Sequence, residues 1–162
     1  MTAELSKRAA ALLDACRAKG LKVATAESCT GGLVAALLTS IAGSSDVFDC
    51  SFVTYSNAAK QKMLGVPSDI LERRGAVSQH CAIAMAEGAI AHSSADIAVS
   101  ITGIAGPGGG SPTKPVGLVH FACATKGGTT QHRRENFGDI SRDEIRNASV
   151  LVAMELLEYQ VR

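Results

Sequence analysis

Four apolar runs alternate with helical segments along this chain, and that order restricts the fold more than any other feature. The runs have the character of buried strands and span residues 21–25, 48–55, 96–102 and 118–125. Gly127 and Gly128 follow the fourth run and predict a hairpin into a fifth strand over 129–137. The order predicts an α/β fold, a three-layer α/β/α sandwich with a mixed, mostly parallel sheet of about five strands.

Helical patterns fill the segments around these strands. Leu5, Ala9, Leu12, Leu13 and Cys16 share one face of the first predicted helix, which Gly20 ends. Between the second and third strands, three short helices are predicted with Asn57, Ser68 and Ser78 as their caps. The other two predicted helices cover residues 31–40 and 141–159.

Composition narrows the class of protein. With 162 residues and 46% hydrophobic content, the chain is expected to form one domain over residues 1–162. A net charge of +1 and the absence of Trp argue against a nucleic-acid partner. The five cysteines form no C-x-x-C pair, which predicts free thiols and a cytoplasmic protein. The four histidines lack metal-ligand spacing, and no apolar run predicts a membrane partner, so neither is expected.

The segment 26–32, Ala-Glu-Ser-Cys-Thr-Gly-Gly, stands where the first strand meets the next helix. A strand-to-helix corner can present a nucleophile and several backbone N–H groups to one ligand. Ser28 supplies a hydroxyl and Cys29 a thiol at this corner. The alternative is purely structural, with Ser28 or Thr30 capping the helix and the glycines forming a tight turn.

In an open α/β sheet, ligands bind at the carboxyl ends of the strands. Four polar or glycine-rich segments are predicted to lie there, namely 27–32, 54–60, 102–107 and 138–146. Each also has an ordinary structural explanation. Lys60 is typical of a solvated helix face, Tyr55 of packing, and the arginines of the last segment of surface ion pairs.

Taken together, the four segments favour a hydrolytic site. A serine hydroxyl needs a base, and Lys60 can act as one if burial or a nearby cation lowers its pKa. The N–H groups of Thr30, Gly31 and Gly32 suit an oxyanion or a phosphate. Arg142 and Arg146 suit a phosphate, and we expect Arg146 to be the better placed because it lies inside the helix. This set favours hydrolysis of an amide or ester in a small phosphorylated molecule.

Five motifs then resemble the CinA C-terminal domain family, which includes stand-alone nicotinamide mononucleotide amidohydrolases. They are AESCTGG at 26–32, FVTYSNxxK at 52–60, GAVS at 75–78, SITGIAGP at 100–107 and KPVG at 114–117. The resemblance covers essentially the whole chain. It implies hydrolysis of nicotinamide mononucleotide to nicotinic acid mononucleotide and ammonia, without metal or cofactor. It also implies a nucleophilic serine assisted by Lys and Tyr, roles that fall on Ser28, Lys60 and Tyr55.

The substrate-binding residues that we expect come from the same segments: Cys29, Thr30, Gly31, Gly32, Thr102, Gly103, Gly106, Arg142 and Arg146. Two departures from the family pattern stand out. Gln79 replaces an expected acidic residue, and the nucleotide-processing domain of longer CinA proteins is not part of this sequence, so that second activity is not expected. We further expect a homo-oligomer.

Two other functions stay open from the sequence. One is a nucleotide-binding module without catalysis, built on the same corner. The other is a cysteine amidase that uses Cys29 with a histidine distant in sequence. Release of ammonia separates the binding module from the enzyme, and substitution of Ser28 or Cys29 separates the two nucleophiles.

Overall fold

The computed structural model describes residues 2–162 and shows six α-helices and five strands in the order that the sequence predicts. The chain also forms a short 3-10 turn at Ser44–Asp46. The elements are α1 (Ala3–Lys19), β1 (Val23–Glu27), α2 (Leu33–Thr39), β2 (Phe48–Val53), α3 (Asn57–Leu64), α4 (Ser68–Arg74), α5 (Gln79–Ala91), β3 (Ile97–Gly103), β4 (Leu118–Thr125), β5 (Gln131–Asn136) and α6 (Arg142–Val161).

The five strands form one mixed sheet in the order β2-β1-β3-β4-β5. Strand β1 pairs in parallel with both β2 and β3. Strand β4 pairs antiparallel with both β3 and β5, so it alone opposes the direction of the other four. The mixed sheet of five strands is confirmed.

Helices cover both faces of the sheet. On one face, α1, α2 and α6 pack against alternate strand residues such as Val99 and Phe121. On the other face, the small side chains Ala24, Ala26 and Ala98 let α3, α4 and α5 approach. At Gly88 of α5, an added Cβ would lie 2.1 Å from the carbonyl oxygen of Leu64, so this crossing requires glycine. The arrangement is the expected α/β/α sandwich.

Several element boundaries differ from the prediction, each for a local reason. Strand β1 begins at Val23 rather than Leu21, because the Leu21 N–H completes the α1 cap on Cys16. Helix α2 begins at Leu33, since Gly31 and Gly32 have φ values of 61° and 100°, outside the helical region. Strand β2 ends at Val53, which leaves Tyr55 in the following loop.

The predicted helix caps are only partly correct. Ser78 caps α5 through the Cys81 N–H, as expected. The cap of α3 is Ser56 instead of Asn57, and Ser68 is the first helical residue of α4 behind Pro67. No helix within residues 2–162 combines the length and the apolar character needed to cross a membrane.

Candidate active site

A cavity of about 270 Å³ opens at the carboxyl ends of β1 and β3. It is lined by Ser28, Cys29, Tyr55, Lys60, Ala76, Val77, Thr102, Gly103, Ile104, Ala105, Gly106, Gly108, Gly109 and Arg142. All four segments predicted to lie at this edge of the sheet therefore contribute to one cavity. Larger grooves exist elsewhere, for example one of about 510 Å³ beside α5, but the candidate nucleophile and base line this one.

Ser28 and Lys60 form a buried pair at the floor of the cavity. The two side chains are 8% and 1% exposed, and Lys60 Nζ lies 3.0 Å from Ser28 Oγ. Burial lowers the pKa of Lys60, because the charged amine loses its hydration. A lysine that titrates below its ordinary range can accept the serine proton, so the pair meets the requirement for an activated hydroxyl.

Local structure explains why Lys60 is inside the protein. Ser56 begins α3 by accepting the Ala59 N–H, and the first helical turn then directs Lys60 back beneath the end of β2. There Lys60 Nζ donates to the carbonyl oxygens of Thr54 at 2.8 Å and Tyr55 at 3.4 Å. These two contacts fix the amine beside Ser28.

The side chain of Tyr55 stands at the rim of the cavity rather than beside Lys60. It is 61% exposed, and its hydroxyl accepts a hydrogen bond of 2.8 Å from Nη2 of Arg142. Nη1 of the same arginine donates to the carbonyl oxygen of Gly106 at 2.7 Å. Tyr55 thus contacts Lys60 through its carbonyl group, and its phenol is paired with a cation at the cavity mouth.

The N-terminus of α2 is occupied by a carboxylate of the chain itself. Glu27 is fully buried and accepts the N–H groups of Gly32 at 3.0 Å, Val34 at 3.2 Å and Ala35 at 2.9 Å. A carboxylate at this position satisfies the unpaired N–H groups of the helix start and interacts favourably with its dipole. The N–H of Gly32 is therefore already committed to Glu27.

The turn 28–31 leaves a different donor for an oxyanion. The Gly31 N–H donates to the Ser28 carbonyl at 3.0 Å. Within residues 2–162, the N–H groups of Cys29 and Thr30 have no backbone acceptor. Thr30 is fully buried, whereas Cys29 lines the cavity. Cys29 is next to the nucleophile and lines the cavity, so its N–H is a candidate donor to a developing negative charge.

Arg146 lies behind this turn and not in the cavity lining. Its Nε donates to the carbonyl oxygen of Cys29 at 3.2 Å, and its Nη2 donates to that of Thr30 at 3.1 Å. The sequence favours Arg146 over Arg142 for a phosphate, and the structure brings Arg142 alone of the two to the cavity lining. Arg142 lines the cavity, while the guanidinium fork of Arg146 is engaged by backbone carbonyls.

The loop after β3 forms one wall of the cavity, and its close packing and backbone conformation explain why glycines occur there. Thr102 is buried and donates its hydroxyl to the Ala76 carbonyl at 2.8 Å, which ties the loop before α5 to β3. At Gly103, an added Cβ would lie 2.7 Å from Val119 Cγ2. Gly106 has a φ of 74° and presents its carbonyl to Arg142. Thr102, Gly103 and Gly106 all line the cavity.

Burial raises the pKa of the Cys29 thiol to about 11, which keeps it protonated near neutral pH. None of the four histidines within residues 2–162 lines the cavity, so no imidazole is positioned there to activate this thiol. Gln79, the unusual residue of the family pattern, is the first residue of α5, exposed and outside the lining.

Sequence reasoning missed three contributors to the site. Glu27 lies within a segment predicted at this edge of the sheet, but its contact with the start of α2 follows no capping pattern, because capping acids stand at the N-cap or three residues after it. The Thr54 carbonyl carries no sequence signal, because any residue has one. Ala76 and Val77 belong to the GAVS motif, which the structure places in the cavity wall.

The fold and this site define a three-layer α/β protein with a serine–lysine pair at the carboxyl end of its sheet. Residues 5–161 match the family model of the CinA C-terminal domain. The chain belongs to this family.

Curated relatives and solved structures agree with that assignment. The chain is 52% identical over 148 residues to the nicotinamide-nucleotide amidohydrolase PncC of Escherichia coli, covering 91% of this chain and 88% of that protein. It is 51% identical to a CinA-like protein of Synechococcus, covering 94% of this chain and 37% of that protein. This chain spans only about a third of the length of the first curated relatives that it matches, the Synechococcus protein among them.

Among solved structures, the competence/damage inducible protein CihA of Agrobacterium tumefaciens has a TM-score of 0.98 and 49% identity, covering 100% of this chain and 98% of that one. The competence damage-inducible protein A of Klebsiella pneumoniae has a TM-score of 0.91 and 34% identity, covering 97% and 96%.

Proposed function

We propose that this chain hydrolyses the carboxamide of nicotinamide mononucleotide to nicotinic acid mononucleotide and ammonia. The observation that carries the proposal is the 3.0 Å contact between Ser28 Oγ and the buried amine of Lys60. We infer the substrate from the name of the E. coli relative, because this chain matches 88% of that protein's length.

In the proposed reaction, Ser28 Oγ attacks the carboxamide carbon while neutral Lys60 takes the hydroxyl proton. The carbonyl oxygen gains negative charge and accepts the Cys29 N–H. The tetrahedral intermediate collapses as the C–N bond breaks, and Lys60 returns the proton to the leaving nitrogen as ammonia departs. Water, deprotonated by Lys60, then attacks the ester on Ser28 and releases the carboxylate product with Ser28 restored.

Arg142 and Tyr55 are proposed to hold the phosphate at the mouth of the cavity. Arg142 is the arginine in the lining, and its guanidinium and the Tyr55 hydroxyl already form a contact of 2.8 Å there. A guanidinium suits a phosphate because its fork matches two oxygens. In this proposal Gly31, Gly32 and Arg146 shape the turn that carries Ser28, while Thr102, Gly103 and Gly106 form the wall against which the substrate lies.

We further propose that the chain acts in the cytoplasm on this small molecule, without nucleic acid. All five cysteines are free thiols, as a reducing compartment requires, and the net charge of +1 provides no counterpart to a phosphate backbone. The homo-oligomer and the single domain over residues 1–162 stay predictions, which light scattering and limited proteolysis of the purified chain test.

The direct test incubates the purified chain with nicotinamide mononucleotide and measures ammonia and nicotinic acid mononucleotide separately. Equal amounts of both products from the unchanged chain, and none from Lys60→Met, support the proposal. Binding of the nucleotide without ammonia release would instead identify a binding module. Activity that disappears with a chelator and returns with added zinc would contradict the proposed direct attack by Ser28.

A further inference from the structure

A chain of hydrogen bonds runs from Arg146 to the floor of the cavity. Arg146 Nη2 donates to the Thr30 carbonyl at 3.1 Å, and the same peptide group donates through the Gly31 N–H to the Ser28 carbonyl at 3.0 Å. The Ser28 carbonyl shares its peptide group with the Cys29 N–H. Three donors therefore stand in series, from the Arg146 guanidinium to the N–H of Cys29, a residue that lines the cavity.

We infer that Arg146 is a positioning residue that strengthens the Cys29 N–H as an oxyanion donor through two intervening peptide groups. The inference rests on the proposed hydrolysis by Ser28. Hydrogen bonds in a chain polarise one another, since a peptide whose carbonyl accepts a bond becomes a better donor at its N–H. A cation at the start of the chain makes the strongest first step.

The remaining contacts of Arg146 agree with this role. Its Nε donates to the Cys29 carbonyl, so both ends of the fork act on the same turn. Its only ion-pair contact within residues 2–162 is with Asp143 at 3.8 Å, and that carboxylate is 85% exposed. The charge of Arg146 is thus directed mainly at the peptide groups of the turn.

Glu27 holds the opposite side of the same turn. It accepts the Gly32 N–H, while Arg146 donates to the carbonyls of Cys29 and Thr30. An anion on the N–H side and a cation on the carbonyl side fix the orientation of the peptide planes between them. Such preorganisation removes the cost of reorienting dipoles when charge develops on the substrate.

The test compares Arg146→Met and Arg146→Lys, with Arg8→Met as the matched control. Arg8 also forms a two-pronged, part-buried contact, at 2.8 and 2.9 Å to Glu158, but it lies on α1. Removing an oxyanion donor outright costs about 100- to 1,000-fold in kcat. Weakening one should cost less, so we expect Arg146→Met to lower kcat roughly 10- to 100-fold with KM changed less than about threefold.

Two comparisons distinguish this role from phosphate binding or simple packing. The kcat loss should be the same for nicotinamide mononucleotide and its unphosphorylated riboside, and Arg146→Lys should recover part of it because the cation remains. A loss confined to the phosphorylated substrate would make Arg146 a phosphate contact. Equal losses in Arg146→Lys and Arg146→Met, with equally lowered melting temperatures, would reduce it to a packing residue. Either result overturns the inference.

Acylation of Ser28 by p-nitrophenyl acetate separates this inference from the proposed substrate. This activated ester reports on attack and oxyanion stabilisation without the nucleotide pocket. We expect its acylation burst to slow in Arg146→Met by the same factor as kcat, and a burst at the unchanged rate overturns the inference. If the unchanged chain acylates but releases no ammonia from the mononucleotide, the proposed substrate fails while the burst rates still test Arg146. If the unchanged chain releases ammonia but shows no burst with this ester, the kcat values of Arg146→Met and Arg146→Lys on the mononucleotide decide the inference.

Discussion

Lys60 and Ser28 are 32 residues apart in the chain, yet Lys60 Nζ lies 3.0 Å from Ser28 Oγ. The proximity follows from the sheet, because β1 and β2 are parallel neighbours and each residue follows the carboxyl end of one of them. Lys60 is 1% exposed, and burial lowers the pKa of its amine. The pair therefore combines a hydroxyl with a base that can be neutral below the ordinary lysine range.

The first prediction concerns the pH dependence of kcat. If neutral Lys60 is the base, kcat should rise with pH through the lowered pKa of Lys60 and level off above it, with the midpoint below 10.5, the ordinary value. Lys60→Met should remove activity, and Lys60→Arg should not restore it, because a guanidinium keeps its proton at working pH. Steady-state ammonia release between pH 6 and 10 measures both. A Lys60→Arg variant with nearly full activity would exclude Lys60 as the base.

Arg142 provides the second prediction. Arg142→Gln should reduce the preference for nicotinamide mononucleotide over the riboside, because the cavity loses its cation while Gly106 and Tyr55 stay in place. A charge-assisted contact contributes about 1.5–3 kcal/mol, which corresponds to roughly a tenfold to hundredfold change in the ratio of kcat/KM values. Tyr55→Phe is the companion variant and should show a smaller change. An unchanged ratio in Arg142→Gln would place the phosphate elsewhere.

How far the sequence alone leads can be judged from particular residues. Strands, helices and their order follow from apolar periodicity and glycine positions, because burial in a layered sandwich imposes those patterns. The convergence of Ser28, Lys60 and Arg142 on one cavity also follows, since strand ends share one edge of the sheet. These parts of the site depend on topology, which the pattern reveals.

The direction in which each side chain points could not be predicted in the same way. Arg142 and Arg146 are one helical turn apart, and the sequence favours Arg146 for a phosphate. In the structure Arg142 lines the cavity, whereas Arg146 contacts the carbonyls of Cys29 and Thr30. The family resemblance implies that Tyr55 assists together with Lys60, but Tyr55 contacts Lys60 only through its carbonyl. Such differences depend on how α6 is rotated about its axis and on the residue at which β2 ends. Packing across the whole domain sets both.

Glu27 supports a third prediction, on stability. Glu27→Gln should lower the free energy of unfolding by roughly 2–3 kcal/mol, because a neutral amide replaces a buried carboxylate that accepts three backbone N–H groups. Urea denaturation at pH 7 measures the change. Glu87→Gln is the matched control, since Glu87 is exposed and accepts one hydrogen bond from Thr130, so its effect should stay within about 0.5 kcal/mol. Equal effects in the two variants would contradict the role of Glu27.

A histidine pair between β4 and β5 gives a fourth prediction, on acid stability. His120 is 8% exposed and its Nδ1 lies 3.0 Å from Nε2 of His132, with the rings stacked at 5.2 Å. Burial and the neighbouring charges of His132, Arg134 and Lys114 lower the pKa of His120 to about 4. His120 is thus neutral in the folded chain at pH values where the unfolded chain, with a pKa near 6.5, already binds a proton.

The direction in which stability changes with pH follows from that difference in proton binding. The folded state should lose stability as pH falls from about 6.5 to about 4, by roughly 2–3 kcal/mol from this residue. His120→Gln should therefore flatten the decline of the unfolding free energy between pH 7 and 4. His92→Gln is the control, because His92 lies outside this pair and its Nδ1 contacts the Gly88 carbonyl of α5 at 2.8 Å. A decline that stays as steep in His120→Gln as in the unchanged chain would contradict the assignment.

The central claim is that Ser28, and not the adjacent thiol, attacks the carboxamide. The most direct measurement is kcat for ammonia release from nicotinamide mononucleotide by Ser28→Ala and Cys29→Ala, with folding verified by thermal melting. Ser28 has Lys60 at 3.0 Å, whereas burial raises the pKa of the Cys29 thiol to about 11, and the hydrogen bonds of Lys60 Nζ go to Ser28, Thr54 and Tyr55. We predict that Ser28→Ala loses about four orders of magnitude or more in kcat, as for other removed nucleophiles, and that Cys29→Ala keeps most of its activity. An inactive Cys29→Ala beside an active Ser28→Ala would contradict the account.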